Sequence, residues 1–184
     1  QASAADAQAS ATAAAAMYDG PWLDTVSALI ADTSLTYTPA QPSTVTAGDY
    51  VRTRAEGFAY QVAASGAVDQ HVTTAGGVKL YVMPNDDGAY NVKAFGADGD
   101  WNGTEVSSGS GTDNTAPIQR AVNIAVSAGS KLFFPNGRYR TTSPIVIDRT
   151  INTQDPINGG MFGISLEGSS AASAQIVADH NGKC

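Results

Sequence analysis

The stretch Tyr90-Asn91-Val92-Lys93-Ala94-Phe95-Gly96-Ala97-Asp98-Gly99-Asp100, followed further on by Lys131-Leu132-Phe133-Phe134-Pro135-Asn136-Gly137-Arg138-Tyr139, decides how this chain is read. Residues 91–96 read as a short strand running into a Gly/Asp/Ser loop over 97–112. Asp113 or Thr115 is placed to cap a following helix, and Pro117 is tolerated in its first turn. Ile118, Ala121, Val122 and Ala125 recur at i, i+3, i+4 and i+7, the stripe of a helix with one buried face, and Gly129 is placed to end it. Short β-prone runs come next: Lys131-Leu132-Phe133-Phe134, Ile145-Val146-Ile147, Gly163-Ile164-Ser165-Leu166 and Gln175-Ile176-Val177. Separated by Pro, Gly, Asn and Ser turns, such runs suit the coils of a solenoid or a β-sandwich.

Upstream, Pro84-Asn85-Asp86-Asp87-Gly88 is a cluster of turn formers and reads as a boundary. Before it, residues 35–83 alternate Thr- and Val-rich runs, and Glu56-Gly57 sits between Tyr50–Arg54 and Phe58–Val62 as the turn of a hairpin. Period-2 alternation puts Tyr50, Arg52 and Arg54 on one face, opposite Val51 and Thr53. Asp19-Gly20-Pro21 marks an earlier break. Trp22, Leu23, Val26, Leu29 and Ile30 after it predict an amphipathic helix of two to three turns, whose apolar face is expected to dock on a neighbouring chain. Residues 1–16 hold ten alanines and no large side chain. They read either as the end of a helical stalk in which three chains pack small residues together or as a frayed terminus. The domain reading is thus 1–16 stalk, 17–84 small β adaptor, 90–184 the strand-rich remainder.

Composition removes several classes of function. Of 184 residues, 10 are basic and 17 acidic, giving a net charge of −7 with no basic stripe, so phosphate-led nucleic-acid binding is not expected. No apolar run is long enough to span a membrane. One cysteine, Cys184, and two histidines, His71 and His180, give little material for a disulfide framework, a zinc site or a Ser-His-Asp set. A chain that begins at Gln1 and stops at Lys183-Cys184 after an apolar run is expected to be a stretch of a longer polypeptide.

The sharpest local motif is Asp98-Gly99-Asp100-Trp101-Asn102-Gly103, in which Asp98, Asp100 and Asn102 alternate as oxygen ligands of a calcium loop would, with Gly103 at the turn. Against it, the position of the bidentate Glu is Gly109. No catalytic and no cofactor-binding residue is assigned. Asn102-Gly103-Thr104 reads as a turn despite being a formal sequon, His71 and His180 as solvated loop residues, Trp22 as packing and Trp101 as an exposed loop residue.

The string at 90–100, with Gly111-Thr112-Asp113-Asn114-Thr115, Ile118-Gln119 and Leu132–Tyr139, resembles the opening of the pectate-lyase-like family, related to glycoside hydrolase family 28. Ile164-Ser165-Leu166-Glu167-Gly168 and Ala174-Gln175-Ile176-Val177 look like the next coil. The resemblance covers about residues 90–178 and implies a right-handed parallel β-helix, as in phage tailspikes, tail fibres and secreted polygalacturonase-related enzymes. One departure is that Trp101 stands where the family has Gly, Asn102 to Ser110 are inserted, and Asn114 replaces an Asp. Residues 17–83, through Asp19–Leu23, Gly48–Val51, Gly57–Tyr60 and Thr73–Leu80, resemble the adaptor region of phage tail fibres and tailspikes.

Together these imply a mainly β chain with an N-terminal helical stalk, a small β adaptor and the start of a right-handed parallel β-helix. A solenoid's first coil would expose an apolar end, and the helix at 115–128 is expected to close it through Ile118, Val122 and Ala125. The implied role is a structural component of the virion, working as a homotrimer. It would bind other tail, baseplate or capsid proteins and carry a part that reaches a host surface glycan. The alternatives are the front of a polysaccharide-degrading lyase or hydrolase, secreted or virion-bound, with its catalytic residues outside this chain, and a solenoid on a bacterial cell surface with no enzymatic role.

Overall fold

In the computed structural model, which describes residues 20–38, 43–103, 110–148, 164–170 and 173–178, the chain divides into two units, Gln1–Met83 and Pro84–Cys184. Both are mainly β, with few helices. The Ala-rich stretch 1–16 lies outside the described residues, as do Asp155, His180 and Cys184.

The first unit is built on a five-stranded sheet of order β1-β4-β5-β7-β6. Its strands are β1 (Trp22–Leu23), β4 (Tyr50–Thr53), β5 (Ala59–Val62), β6 (Val72–Thr73) and β7 (Lys79–Val82); β2 (Leu35–Thr36) and β3 (Ser43–Thr44) pair separately. β4, β5, β7 and β6 run antiparallel in turn, and β1 joins β4 in parallel. The hairpin between β4 and β5 turns at Gly57 with φ +74°, a left-handed conformation that glycine adopts without strain. Alternation sorts the side chains: Val51, Thr53, Tyr60, Val62, Leu80 and Val82 are buried, while their neighbours along each strand are half-exposed. Val26, Leu29, Leu35 and Val45 complete this core.

The predicted helix at 22–30 is shorter than its periodicity implies. Trp22–Leu23 is drawn into the sheet as β1, and the helix, α1, runs only from Val26 to Ala31. Thr25 caps it, Oγ1 accepting from the Ala28 amide at 3.0 Å. Its apolar residues Val26 and Leu29 are 5% and 0% exposed, so they are spent on their own unit's core and not left for a neighbouring chain. Gly20 makes the switch into β1 possible, because a Cβ there would lie 1.7 Å from the Tyr50 carbonyl oxygen.

Among the described residues the second unit pairs its strands in parallel. β8 (Ala89–Asn91), β9 (Lys131–Phe134) and β11 (Ser165–Gly168) form one ladder, in the order β11-β9-β8; β10 (Gly137–Thr141) and β12 (Ala174–Ala178) form another. Bridges from Asp100 to Arg138 and from Asp113 to Arg140 extend the second ladder towards the β8 side. Tyr90 is in register with Leu132, Leu132 with Leu166, and Tyr139 with Ile176. The pair β9–β10 is thus repeated, one layer on, by β11–β12. Where the turns after β8 and β9 meet, a Cβ on Gly99 would come within 2.7 Å of the Gly137 Cα, so both positions require glycine. Leu132, Phe134 and Tyr139 point inward and are buried. The Tyr139 hydroxyl donates to the Pro135 carbonyl at 3.0 Å, and burial, with Asp98 nearby, pushes its pKa up to about 12.

Two expected strands take other forms. Only Ala89–Asn91 is extended at the start of this unit; Val92–Phe95 is a 3-10 helix, begun by the Asn91 carboxamide accepting from the Lys93 amide and ended by Gly96 with φ 92°. Ile145-Val146-Ile147 is irregular. There the Gln119 side chain serves as the ladder partner, its Oε1 accepting from the Val146 amide and its Nε2 donating to the Val146 carbonyl, each at 2.7 Å. A side-chain amide satisfies both backbone groups, so no neighbouring strand is needed.

Candidate functional site

The residues singled out for function converge where the loop after the 3-10 helix meets helix α2 (Thr115–Ala128) and β10. At the centre is Asn114, which is fully buried. Its Oδ1 accepts from the Asp98 amide at 2.6 Å, and its Nδ2 donates to the Asp98 and Thr112 carbonyls at 2.8 and 2.9 Å. Its own amide donates to the Arg140 carbonyl at 2.8 Å. Asn114 therefore pins loop, helix start and strand together with both ends of its carboxamide. A carboxylate could not donate the Nδ2 bonds.

The helix start is organised by Asp113 from one position outside it. Asp113 Oδ1 accepts from the Thr115 amide and hydroxyl at 3.0 and 2.6 Å, and Oδ2 from the Thr142 hydroxyl at 2.6 Å. Desolvation works against its charge, but these bonds outweigh it and hold its pKa at about 2. Gly129, with φ 60°, ends the helix. Ile118, Val122 and Ala125 are 0%, 2% and 0% exposed, and α2 packs against the 3-10 helix, β8 and β9.

The three calcium-loop candidates lie on this loop, with much of their oxygen already engaged. The Asp100 carboxylate accepts from the Thr112 amide at 2.8 Å and the Thr112 hydroxyl at 2.8 Å. Asn102 Oδ1 accepts from the Ser110 amide at 3.0 Å. Asp98 is exposed, and its backbone groups are those held by Asn114. These bonds close the loop on itself, and among the described residues no group of three or more His, Cys, Asp or Glu comes together to hold a metal ion.

Two residues that composition did not single out hold Gly103 and Gly111, on either side of the loop. Arg138 and Arg140 alternate with the inward Tyr139 on β10, so both face outward. Arg138 donates to the Gly103 carbonyl and, through Nε, to Gln175 Oε1 at 3.1 Å; Arg140 donates to the Gly111 carbonyl at 3.2 Å. Trp101, expected as an exposed loop residue, is only 4% exposed, with the Arg140 guanidinium 5.9 Å from its ring centroid. The Arg-Tyr-Arg alternation was the available signal, but nothing in the sequence tied it to a loop so distant.

His71, expected as a solvated loop residue, is a half-buried part of the first unit. Its Nδ1 accepts from the Val82 amide at 2.9 Å, and its ring meets Tyr81 edge-on at 5.3 Å. Burial lowers its pKa, with Asp69 pulling the other way. Glu167 pairs with Lys131 at 3.2 Å on the outside of the β9–β11 ladder, and Asp148 is exposed. On the last described layer, Phe134, Leu166, Glu167, Gly168, Ala174 and Ile176 line a groove of about 260 Å³.

No known protein family matches the chain, and no curated protein matches it. Among solved structures, ORF18 of Geobacillus virus E2 is similar over 89% of this chain, at 22% identity and a TM-score of 0.38. The chain spans 29% of the length of that structure. Among the described residues no helix is long and apolar enough to cross a membrane.

Proposed function

We propose that this chain is the N-terminal attachment region of a phage tail fibre or tailspike, a structural virion component that leads into a right-handed parallel β-helix bearing a receptor- or glycan-binding part. It works as a homotrimer and docks on other tail, baseplate or capsid proteins. Helix α2 closes the first coil through Ile118, Val122 and Ala125.

One observation carries the reading: the register that stacks Tyr90, Leu132 and Leu166 in one column and Tyr139 and Ile176 in another. Leu132 and Tyr139 are fully buried, whereas Leu166 and Ile176, one layer on, are 49% and 50% exposed. A column that is dry within and open at one end supports a stack ready to receive a further coil, with α2 at its other end.

The test is immunogold labelling of the purified native particle with an antibody raised against residues 20–83. Label at the point where the fibre or spike joins the particle is the expected result. Particles without label, or label on the host cell surface in the absence of particles, overturn the proposal.

A further inference from the structure

Four Asn-Gly pairs occur in the chain: Asn102-Gly103, Asn136-Gly137, Asn158-Gly159 and Asn181-Gly182. The first two lie among the described residues. A glycine after asparagine has no Cβ to shield its backbone nitrogen, which can reach the carboxamide carbon of the preceding side chain. The two described pairs share this local chemistry, so only their surroundings can set them apart. Those surroundings are opposite.

At 136–137 the backbone nitrogen is tied down. The Gly137 amide donates to the Ser173 carbonyl at 2.7 Å, and Gly137 opens β10 in register with Ala174. The Asn136 Oδ1 accepts from the Ser169 hydroxyl and from the Ser173 hydroxyl, the latter at 2.7 Å. At 102–103 the nitrogen is untied. Among the described residues nothing accepts from the Gly103 amide, although its carbonyl is held by Arg138. Asn102 is exposed, and its carboxamide is held by the oxygen end alone. Its Oδ1 accepts from the Ser110 amide at 3.0 Å and from the Ser110 hydroxyl at 3.4 Å, while its Nδ2 donates to nothing among the described residues. The Asn102 amide donates back to the Ser110 carbonyl at 3.2 Å, so residues 102 and 110 form a three-bond clasp.

We propose that Asn102 is a self-modification site, deamidating in the folded chain to an aspartyl or isoaspartyl residue, while Asn136 is protected. The Gly103 nitrogen yields its proton to hydroxide and bonds to Asn102 Cγ. The negative charge of that step collects on Oδ1, where the two Ser110 donors already point. The Cγ–Nδ2 bond then breaks, and Nδ2 takes up a proton and departs as ammonia. Water adds to either carbonyl of the resulting succinimide and opens it. One water is consumed, one ammonia is released, and nothing is oxidised or reduced. Both products carry a new carboxylate. The isoaspartyl product also lengthens the main chain by one methylene, between an amide bonded to Ser110 and a carbonyl held by Arg138. Asn114 lacks these conditions: it is buried, bonded at both ends of its carboxamide, and followed by Thr115. The inference stands apart from the virion reading and does not depend on it.

Peptide mapping by mass spectrometry tests this. The full 184-residue chain is held at mildly alkaline pH, sampled over time and digested with trypsin, which separates positions 102 and 136 into different peptides. Exchange of NH2 for OH is read from the mass and placed by fragmentation; the isoaspartyl form elutes apart. A parallel incubation in concentrated urea gives each pair its rate without tertiary structure. In the folded chain position 102 should convert about tenfold or more faster than position 136, and in urea the two rates should converge. Ser110→Ala removes one donor and should slow position 102 about twofold in the folded chain while leaving its urea rate unchanged. Equal folded rates at the two positions overturn the proposal. So does a position 102 that converts more slowly folded than in urea, since the clasp then protects Asn102 instead of activating it. The wild-type comparison decides the matter even where the variant fails to fold.

Discussion

In the first unit Tyr50 pairs with Gln61 across one tight turn, whereas in the second Leu132 pairs with Leu166 across a whole layer. That contrast separates two ways of building a sheet from similar short strands. Antiparallel neighbours need only a turn, and the turn leaves a mark in sequence, here Glu56-Gly57. Parallel neighbours need a long connection, whose closure entropy must be met before the ladder returns anything. The second unit therefore depends on features that fix each layer before the next is added: a helix against its first strands, a buried carboxamide at the loop, and glycines where turns touch.

The largest expected effect falls on the helix. Val122 is 2% exposed, and Val122→Asp puts an uncompensated charge into the packing of α2. It should cost about 3–5 kcal/mol and unfold the second unit, while amides of β4, β5 and β7 keep their protection in hydrogen exchange. Equal loss of protection in both units would show that they do not fold separately.

Asn114→Ala comes next. It removes three side-chain bonds and leaves the Asp98 amide and two carbonyls without their partner, so a loss of about 3 kcal/mol in urea unfolding is expected. A loss below about 0.5 kcal/mol would mean that water replaces the carboxamide and that the loop holds itself.

Two smaller effects set the units apart by pH. Asp113 has a folded pKa of about 2, below the 3.8 of the free side chain, so its stabilisation is present above pH 3.8 and lost as pH falls through 2. Asp113→Asn should flatten the fall in the second unit's unfolding midpoint over that window. His71 has its folded pKa lowered from 6.5 by burial, so neutral imidazole is the folded form and stability is lost as pH falls below 6.5. His71→Gln keeps an acceptor for the Val82 amide without a titrating group and should remove that slope from the first unit. An unchanged slope between pH 7 and pH 5 would refute the role of His71.

Much of the architecture was legible in the residues. Strand-prone runs located β4, β5 and β9, the i, i+3, i+4, i+7 stripe located α2, and Gly129 marked its end. These are local signals, because burial of one face and the φ of a glycine act within a few residues. The misreadings share another cause. Trp22 and Leu23 fit a helical stripe, yet β4 offered them a ladder; Val92–Phe95 reads as extended, yet Asn91 and Gly96 wind it into a 3-10 turn. Ile145–Ile147 has strand composition, yet at its centre one glutamine side chain meets both backbone groups of Val146.

Residue pattern thus pointed to a mainly β chain and to an amphipathic helix before the first strong strand, and both are present. The three-dimensional arrangement settled what acts across distance. It buried Trp101 under Arg140, turned Asp100 and Asn102 onto their own loop, and set Leu166 over Leu132. Those outcomes depend on which backbone group or side chain arrives opposite another from a remote part of the chain. Linear spacing does not encode that meeting; hydrogen-bond satisfaction and close packing decide it once the layers are stacked.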